Sequence, residues 1–204
     1  MIKAINNYNL MNATNAHYHH TKDAIAQEEL LIKAAQKDPK AFAPLYDKYY
    51  VQIFRFVLKR LGNEQDAADI TSQVFVKAIT NIKKYQFRGV PFTSWLHMVA
   101  RNEMNLLFRS RKYDRTVDVK TDQLHDIMDE LEDSCDDERL PTLLEAIRHL
   151  KVEEVELLEM RYFEKRPFKE VSEILGITES SAKVRMHRIM KKLKELTLER
   201  HGQV

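Results

Sequence analysis

Cysteine is nearly absent: in 204 residues only Cys135 carries a thiol. One thiol cannot close an internal disulfide or build a cysteine zinc site, so a secreted disulfide scaffold is excluded. It fits a reducing, cytoplasmic setting. Glycine and proline are scarce, at 4 and 5 residues. So few chain breakers suit helices joined by short turns. No apolar run approaches the roughly 18 residues that a membrane span needs. The opening stretch, MIKAINNYNLMNATNAHYHH, has no apolar core of a secretion signal. Phosphate-loop, HExxH and nucleophile motifs are missing. The reading is therefore not an enzyme, with no catalytic residue and no cofactor. His17, His19 and His20 have no carboxylate or cysteine cluster beside them, so no metal site is read there.

What is present is charge, unevenly placed. The net charge is only +2, but residues 1–117 hold 18 Lys/Arg against 10 Asp/Glu. Residues 118–138 hold one Lys against ten acids, and residues 139–204 hold 14 Lys/Arg against 11 acids. Two basic blocks flank an acidic strip, a distribution that suits nucleic-acid contact at both ends of the chain.

The apolar period is helical almost throughout. Residues 1–25 show no period and read as a disordered arm. Leu30, Leu31 and Ala34 begin a first stripe that ends near Asp38-Pro39. A second runs from Phe42 through Leu45, Tyr49, Ile53 and Val57 to Leu61, where Gly62 stops it. A third, with Ala67, Ile70, Val74, Phe75, Ala78 and Ile82, leads into the loop YQFRGVPF. A fourth spans about Thr93 to Arg111. These four helices make one domain over residues 26–113. Residues 114–138 read as an acidic flexible linker, in which Leu124, Ile127, Met128 and Leu131 have the spacing of one short helix. Extended, residues 118–138 could span roughly 70 Å. A second helical domain occupies residues 139–204. The fold class is all-α, in two small modules.

The stretch FKEVSEILGITESSAKVRMHRIMKKL carries the chemistry. Gly176 follows an apolar segment where a left-handed residue makes a sharp turn, and Thr178 stands where an N-cap is needed. This is the helix-turn-helix pattern. The second helix packs through Ala182, Met186 and Ile189, leaving Ser180, Ser181, Lys183, Arg185, His187 and Arg188 on the outer face. Such a face reads base edges in the major groove and grips phosphates. A basic surface helix in an ordinary bundle would give the same pattern. In the first domain, Tyr85, Phe87 and Phe92 cluster about a Gly/Pro loop, and aromatics on a loop stack on unpaired bases.

The order of these motifs resembles the sigma-70 family of bacterial RNA polymerase sigma factors, in its extracytoplasmic-function group. AFAPLYDKYY, DAADITSQVFVKA, the FRG of residues 87–89 and FTSWLHMVARNEMNLLFRSRK are similar to sigma region 2. RYFEKRPFKEVSEILGITESSAKVRMHRIMKKL is similar to sigma region 4. The resemblance implies two partners, core RNA polymerase and promoter DNA, and leaves both modules open to clamping by an anti-sigma factor. It implies no membrane insertion. Asp66, Asp69, Gln73 and Phe75 would meet the polymerase, with Ala68 standing where the family usually has Glu and Ser72-Gln73 where it usually has Gln-Glu, a less acidic pattern. Tyr85, Phe87, Arg88, Arg101, Asn102, Arg109, Arg111 and Lys112 would hold the minus-ten element, and Met98 stands where many relatives carry a basic residue. The helix-turn-helix residues would read the minus-thirty-five element. The linker acids would thread the polymerase's RNA exit path as a mimic of RNA charge, and Leu157, Leu158 and Tyr162 would offer a groove to the polymerase flap. The rival reading is a helix-turn-helix regulator that binds duplex DNA without polymerase. A pure adaptor bundle would need neither the basic helix nor the aromatic loop.

Overall fold

The computed structural model describes residues 22–110, 121–131 and 140–201. Among them are nine α-helices, two 3-10 turns and one π turn, and no strand. The first module is α1 (Lys22–Lys37), α2 (Ala43–Leu61), α3 (Glu64–Asn81) and α4 (Phe92–Ser110). In α2 every fourth residue, Leu45, Tyr49, Ile53, Val57 and Leu61, is buried. Each such side chain stabilises the module by about 1.5–3 kcal/mol. Gly62 ends α2 in the left-handed region, φ 67°, with its N–H on the Leu58 carbonyl at 2.8 Å. The Asn63 side chain then caps α3 by accepting from the Asp66 N–H at 2.9 Å.

Glu28 organises this module from inside. It is fully buried. Its Oε1 takes Lys48 Nζ at 2.6 Å, and its Oε2 accepts from the Phe92 N–H at 2.8 Å. A carboxylate thereby satisfies a free amide at the positive end of α4. Gln36 Nε2 donates to the carbonyls of Ile82 and Tyr85, at 3.1 and 2.8 Å. Together these bonds anchor both ends of the 85–92 loop.

The linker expectation changes in its middle. Thr121–Glu130 folds as α5, and Leu124, Ile127, Met128 and Leu131 are buried in the second core. An apolar stripe of four residues outweighs the repulsion of its neighbours because the acids stay outside: Asp126 pairs with Lys165, while Asp129 and Glu130 are exposed. The second module therefore gathers α5 with α6 (Leu140–Arg148), α7 (Val152–Leu158), α8 (Phe168–Leu175) and α9 (Glu179–His201). Residues 114–120 and 132–138 of the linker, and residues 1–21 of the arm with its histidines, lie outside the described residues. Each module has its own apolar core.

Candidate nucleic-acid interface

Gly176 closes α8 at φ 65°, and the Ile177 N–H returns to the Ser172 carbonyl at 3.0 Å. Thr178 Oγ1 accepts from the Ser181 N–H at 3.1 Å and so starts α9. The turn is the one expected from the sequence. It buries Ala182, Met186, Ile189, Met190 and Leu193. Ser180, Lys183, Arg185, His187 and Arg188 are exposed, and Ser181 is half-buried. Lys183 pairs with Glu179 at 2.7 Å. Arg185 and Arg188 have no ion-pair partner among the described residues, so their charge faces solvent undiminished.

One outer residue escaped the sequence reading. Val184 is 50% exposed on the same face, one turn after Ser180 and one before Arg188. Its signal is an aliphatic residue out of phase with the buried stripe. Val76 of α3 repeats the signal at 62% exposure, beside the exposed Asp69 and Gln73.

The first module separates the expected residues into two groups. Tyr85 and Phe92 are buried, packed edge-on at 5.3 Å with Trp95 beside both, and burial raises the Tyr85 hydroxyl pKa. They build the loop's floor and do not stand ready to stack on bases, a correction to the aromatic-loop reading. The two helix-flanking aromatics are drawn into the core because Glu28 and Gln36 pin the loop against it. Phe87 is half-buried and Arg88 exposed. Asn102 is exposed and lines a cleft of about 470 Å³ with Lys84, Tyr85, Trp95 and Met98. Arg101 is half-buried and bonded to Glu156 at 2.8 Å. The side chain of Arg109, and Arg111 and Lys112 entirely, lie outside the described residues.

Phe75 is a second correction. It is buried against Tyr46, at 4.8 Å, and Tyr50, at 6.0 Å, and gives the polymerase no surface. Asp66 is half-buried. Leu157, Leu158 and Tyr162 are also core, so no flap groove opens there. A helix that must hold two neighbours at once spends its apolar residues on them.

A helix-turn-helix with an outward cationic helix, joined to a second all-α module with its own cleft, defines a two-headed DNA-binding protein. Residues 45–113 match Sigma-70 region 2 and residues 141–193 match Sigma-70, region 4, together more than half of the chain. The chain belongs to the sigma-70 family of RNA polymerase sigma factors, within the extracytoplasmic-function group. It is similar to the ECF RNA polymerase sigma factor BldN of Streptomyces coelicolor, 28% identical over 85% of this chain and 67% of that protein. It is 27% identical to the ECF RNA polymerase sigma factor SigW of Bacillus subtilis, over 81% of this chain and 96% of that one. Its fold is like that of CnrH, solved in complex with the cytosolic domain of CnrY, at a TM-score of 0.53 and 19% identity, covering 83% and 96% of the two chains. The protein directs core RNA polymerase to promoters and assists DNA melting at initiation, and the reading as a polymerase-independent regulator falls away. No described helix is long and apolar enough to cross a membrane.

Proposed function

We propose that the two modules divide promoter recognition. Residues 26–113 dock on core polymerase and hold the minus-ten element, and residues 139–204 read the minus-thirty-five element. The observation that carries this is the outer face of α9, where Arg185 and Arg188 stand exposed and without an ion-pair partner among the described residues, while the inner face is apolar except for Thr197. Ser180, Ser181, Lys183, Arg185, His187 and Arg188 meet bases and phosphates there. In the first module Asn102 lines the cleft where an unpaired base is held, Arg88 and Arg101 supply cations to the strand, and Phe87 is the aromatic left to stack on it. Asp69 and Gln73 meet the polymerase, with Val76 supplying an apolar contact beside them. The protein carries no chemistry of its own in this role and works in the cytoplasm. CnrH is held by a cytosolic partner domain, and an anti-sigma partner of this chain would act on the same two modules.

The test is run-off transcription with purified core polymerase and genomic DNA, with and without the protein. Starts at specific promoters are expected only when it is present. If no initiation depends on it, the assignment fails.

Val184 sharpens the reading. An aliphatic side chain in the major groove meets the methyl of thymine. Val184→Ser should relax discrimination at one base of the minus-thirty-five element by about 1 kcal/mol, roughly fivefold. The salt dependence of binding should stay as it was, since the change leaves every phosphate-binding cation in place. Competition binding by the holoenzyme across single-base promoter variants measures this. An unchanged preference at every base would remove Val184 from the reading surface.

A further inference from the structure

The cations of the first module fall into two sets. Of its twelve described cationic side chains, seven pair with a carboxylate. The five without an ion-pair partner among the described residues are Lys37, Lys40, Arg55, Lys83 and Lys84, all exposed. Arg55 stands alone on α2, whereas the four lysines share one corner. Gln36 makes that corner, because its Nε2 donates to the Ile82 carbonyl at 3.1 Å and to the Tyr85 carbonyl at 2.8 Å. The end of α1 is thereby fixed against the turn that follows α3. Ile82 is fully buried, and the Tyr85 N–H closes the turn on its carbonyl at 3.1 Å, which leaves Lys83 and Lys84 outside. Lys37 follows Gln36 directly, and Lys40 lies on the next turn. Asp38 stands among them, but its Oδ1 accepts from the Lys40 N–H at 3.0 Å and it answers only one charge of four.

A cation at the carboxyl end of a helix is stabilised by the helix dipole, but the effect dies away past the last turn. That reason covers Lys37, the last residue of α1, and does not gather Lys40, Lys83 and Lys84, which lie beyond the ends of α1 and α3. Like charges set together repel, and a polyanion removes the repulsion. Lysine suits the task, since its ammonium is a mobile point charge that takes phosphate oxygens without reading a base.

The corner also has a place on the path of DNA. Lys84 lines the cleft that holds Asn102 and Trp95, so the lysines begin at its rim. Upstream of the minus-ten element the DNA is paired, and an unpaired strand seated in the cleft continues only downstream. We propose that Lys37, Lys40, Lys83 and Lys84 form a track for the sugar-phosphate backbone of single-stranded DNA, which leads the unpaired strand from the cleft toward the start of transcription. The track grips any sequence, and base choice stays with the cleft. This rests on the reading of the cleft as the seat of a minus-ten base.

The experiment uses holoenzyme assembled from core polymerase and the full chain, with two forked promoter templates. In one the unpaired strand ends just after the minus-ten element; in the other it runs on as a mixed-sequence tail. The track variant carries Lys37→Gln, Lys40→Gln and Lys83→Gln, and keeps Lys84 because that residue also lines the cleft. A control carries Arg55→Gln, Arg148→Gln and Lys151→Gln, exposed cations elsewhere on the molecule that change net charge equally. The track variant should bind the tailed template about 10-fold more weakly than the control, with a logarithmic salt slope flatter by about 2, at roughly 0.7 for each phosphate of a single strand released. On the short fork the two should bind alike. Equal binding of the tailed template by both variants overturns the track. So does an equal loss on both templates, or a loss of affinity for core polymerase without DNA, which would make an acidic polymerase surface the occupant. Asn102→Ala on the short fork tests the cleft separately. Weaker binding there supports the minus-ten reading, and unchanged binding removes that reading together with the track's starting point, whereas failure of the lysine variant alone removes only the track.

Discussion

Arg166→Ala is expected to lower the free energy of unfolding by about 3–5 kcal/mol, because it strands the buried Glu170 without its counter-charge and leaves the half-buried Glu164 only Arg60, 3.8 Å away. The guanidinium is completely buried. Its Nε binds Glu164, its Nη1 lies 3.4 Å from Glu170 Oε2, and its Nη2 meets His97. Burial alone would raise the Glu164 carboxyl, but Arg166 and Arg60 outweigh it and hold its pKa at about 2. Glu170, with less help, is lifted above its ordinary value by burial. Removing Arg166 leaves two acids that must protonate, hydrate or part the modules. The urea midpoint, followed through the single Trp95 near the module boundary, measures the destabilisation. Adding Glu164→Gln and Glu170→Gln should restore much of it. An unchanged midpoint in Arg166→Ala would mean that the acids are already hydrated.

The same cluster predicts a pH dependence whose sign is set by His97. Burial, and then the Arg166 guanidinium, push its imidazole down to about 3 from an ordinary 6.5, against the pull of Glu164 and the Thr93 carbonyl. The folded chain refuses a proton that the unfolded chain accepts. Stability is therefore complete above pH 6.5 and falls as pH drops from there toward 3. Glu170 works in the opposite sense at lower pH, so the comparison is with His97→Gln, which keeps Glu170. The urea midpoint should drop between neutral and mildly acid pH in the wild type and drop less in His97→Gln. Equal slopes would show that His97 does not titrate with unfolding.

The second large effect belongs to α9. Arg185→Ala with Arg188→Ala should cut promoter-specific starts roughly 100-fold, since each base contact is worth about 1–3 kcal/mol. Neither residue has another ion-pair partner among the described residues to hold it back from DNA, so little folding stability should change. Among single changes, Arg188→Ala should weaken promoter binding more than Lys191→Ala, which lies further along the helix and faces Glu195 at 3.8 Å. Removing the cation that neutralises one phosphate should flatten the salt dependence by about 0.9 in the logarithmic slope. Run-off yields and salt titrations of the holoenzyme check both statements. Wild-type selectivity in the double variant would move recognition away from this helix.

Much of this was legible before any coordinate. The four-residue stripe of α2, the stop at Gly62, the turn at Gly176 with its Thr178 cap and the cationic outer face of α9 are local features. Their physics involves residues within about one turn of each other, and periodicity reports it directly. The stripe in residues 124–131 was visible too, but not its docking, because burial depends on a partner surface far along the chain. The aromatic loop misled for the same reason: Tyr85 and Phe92 look free beside Gly89 and Pro91 until Gln36 and Glu28 pull the loop onto the core from about fifty and sixty residues away.

The amino-acid order by itself determined an all-α chain of two charged modules and a helix-turn-helix face, since short-range periods and charge counts suffice for these. Only the tertiary structure decided where the leftover acids go. Glu156, Glu159, Glu164 and Glu173 look like solvated helix charges in a one-dimensional reading. Folding brings them within bonding distance of cations 55 to 104 positions away. Coulomb attraction depends on distance in space and not along the chain, and that separation exists only once both cores have formed.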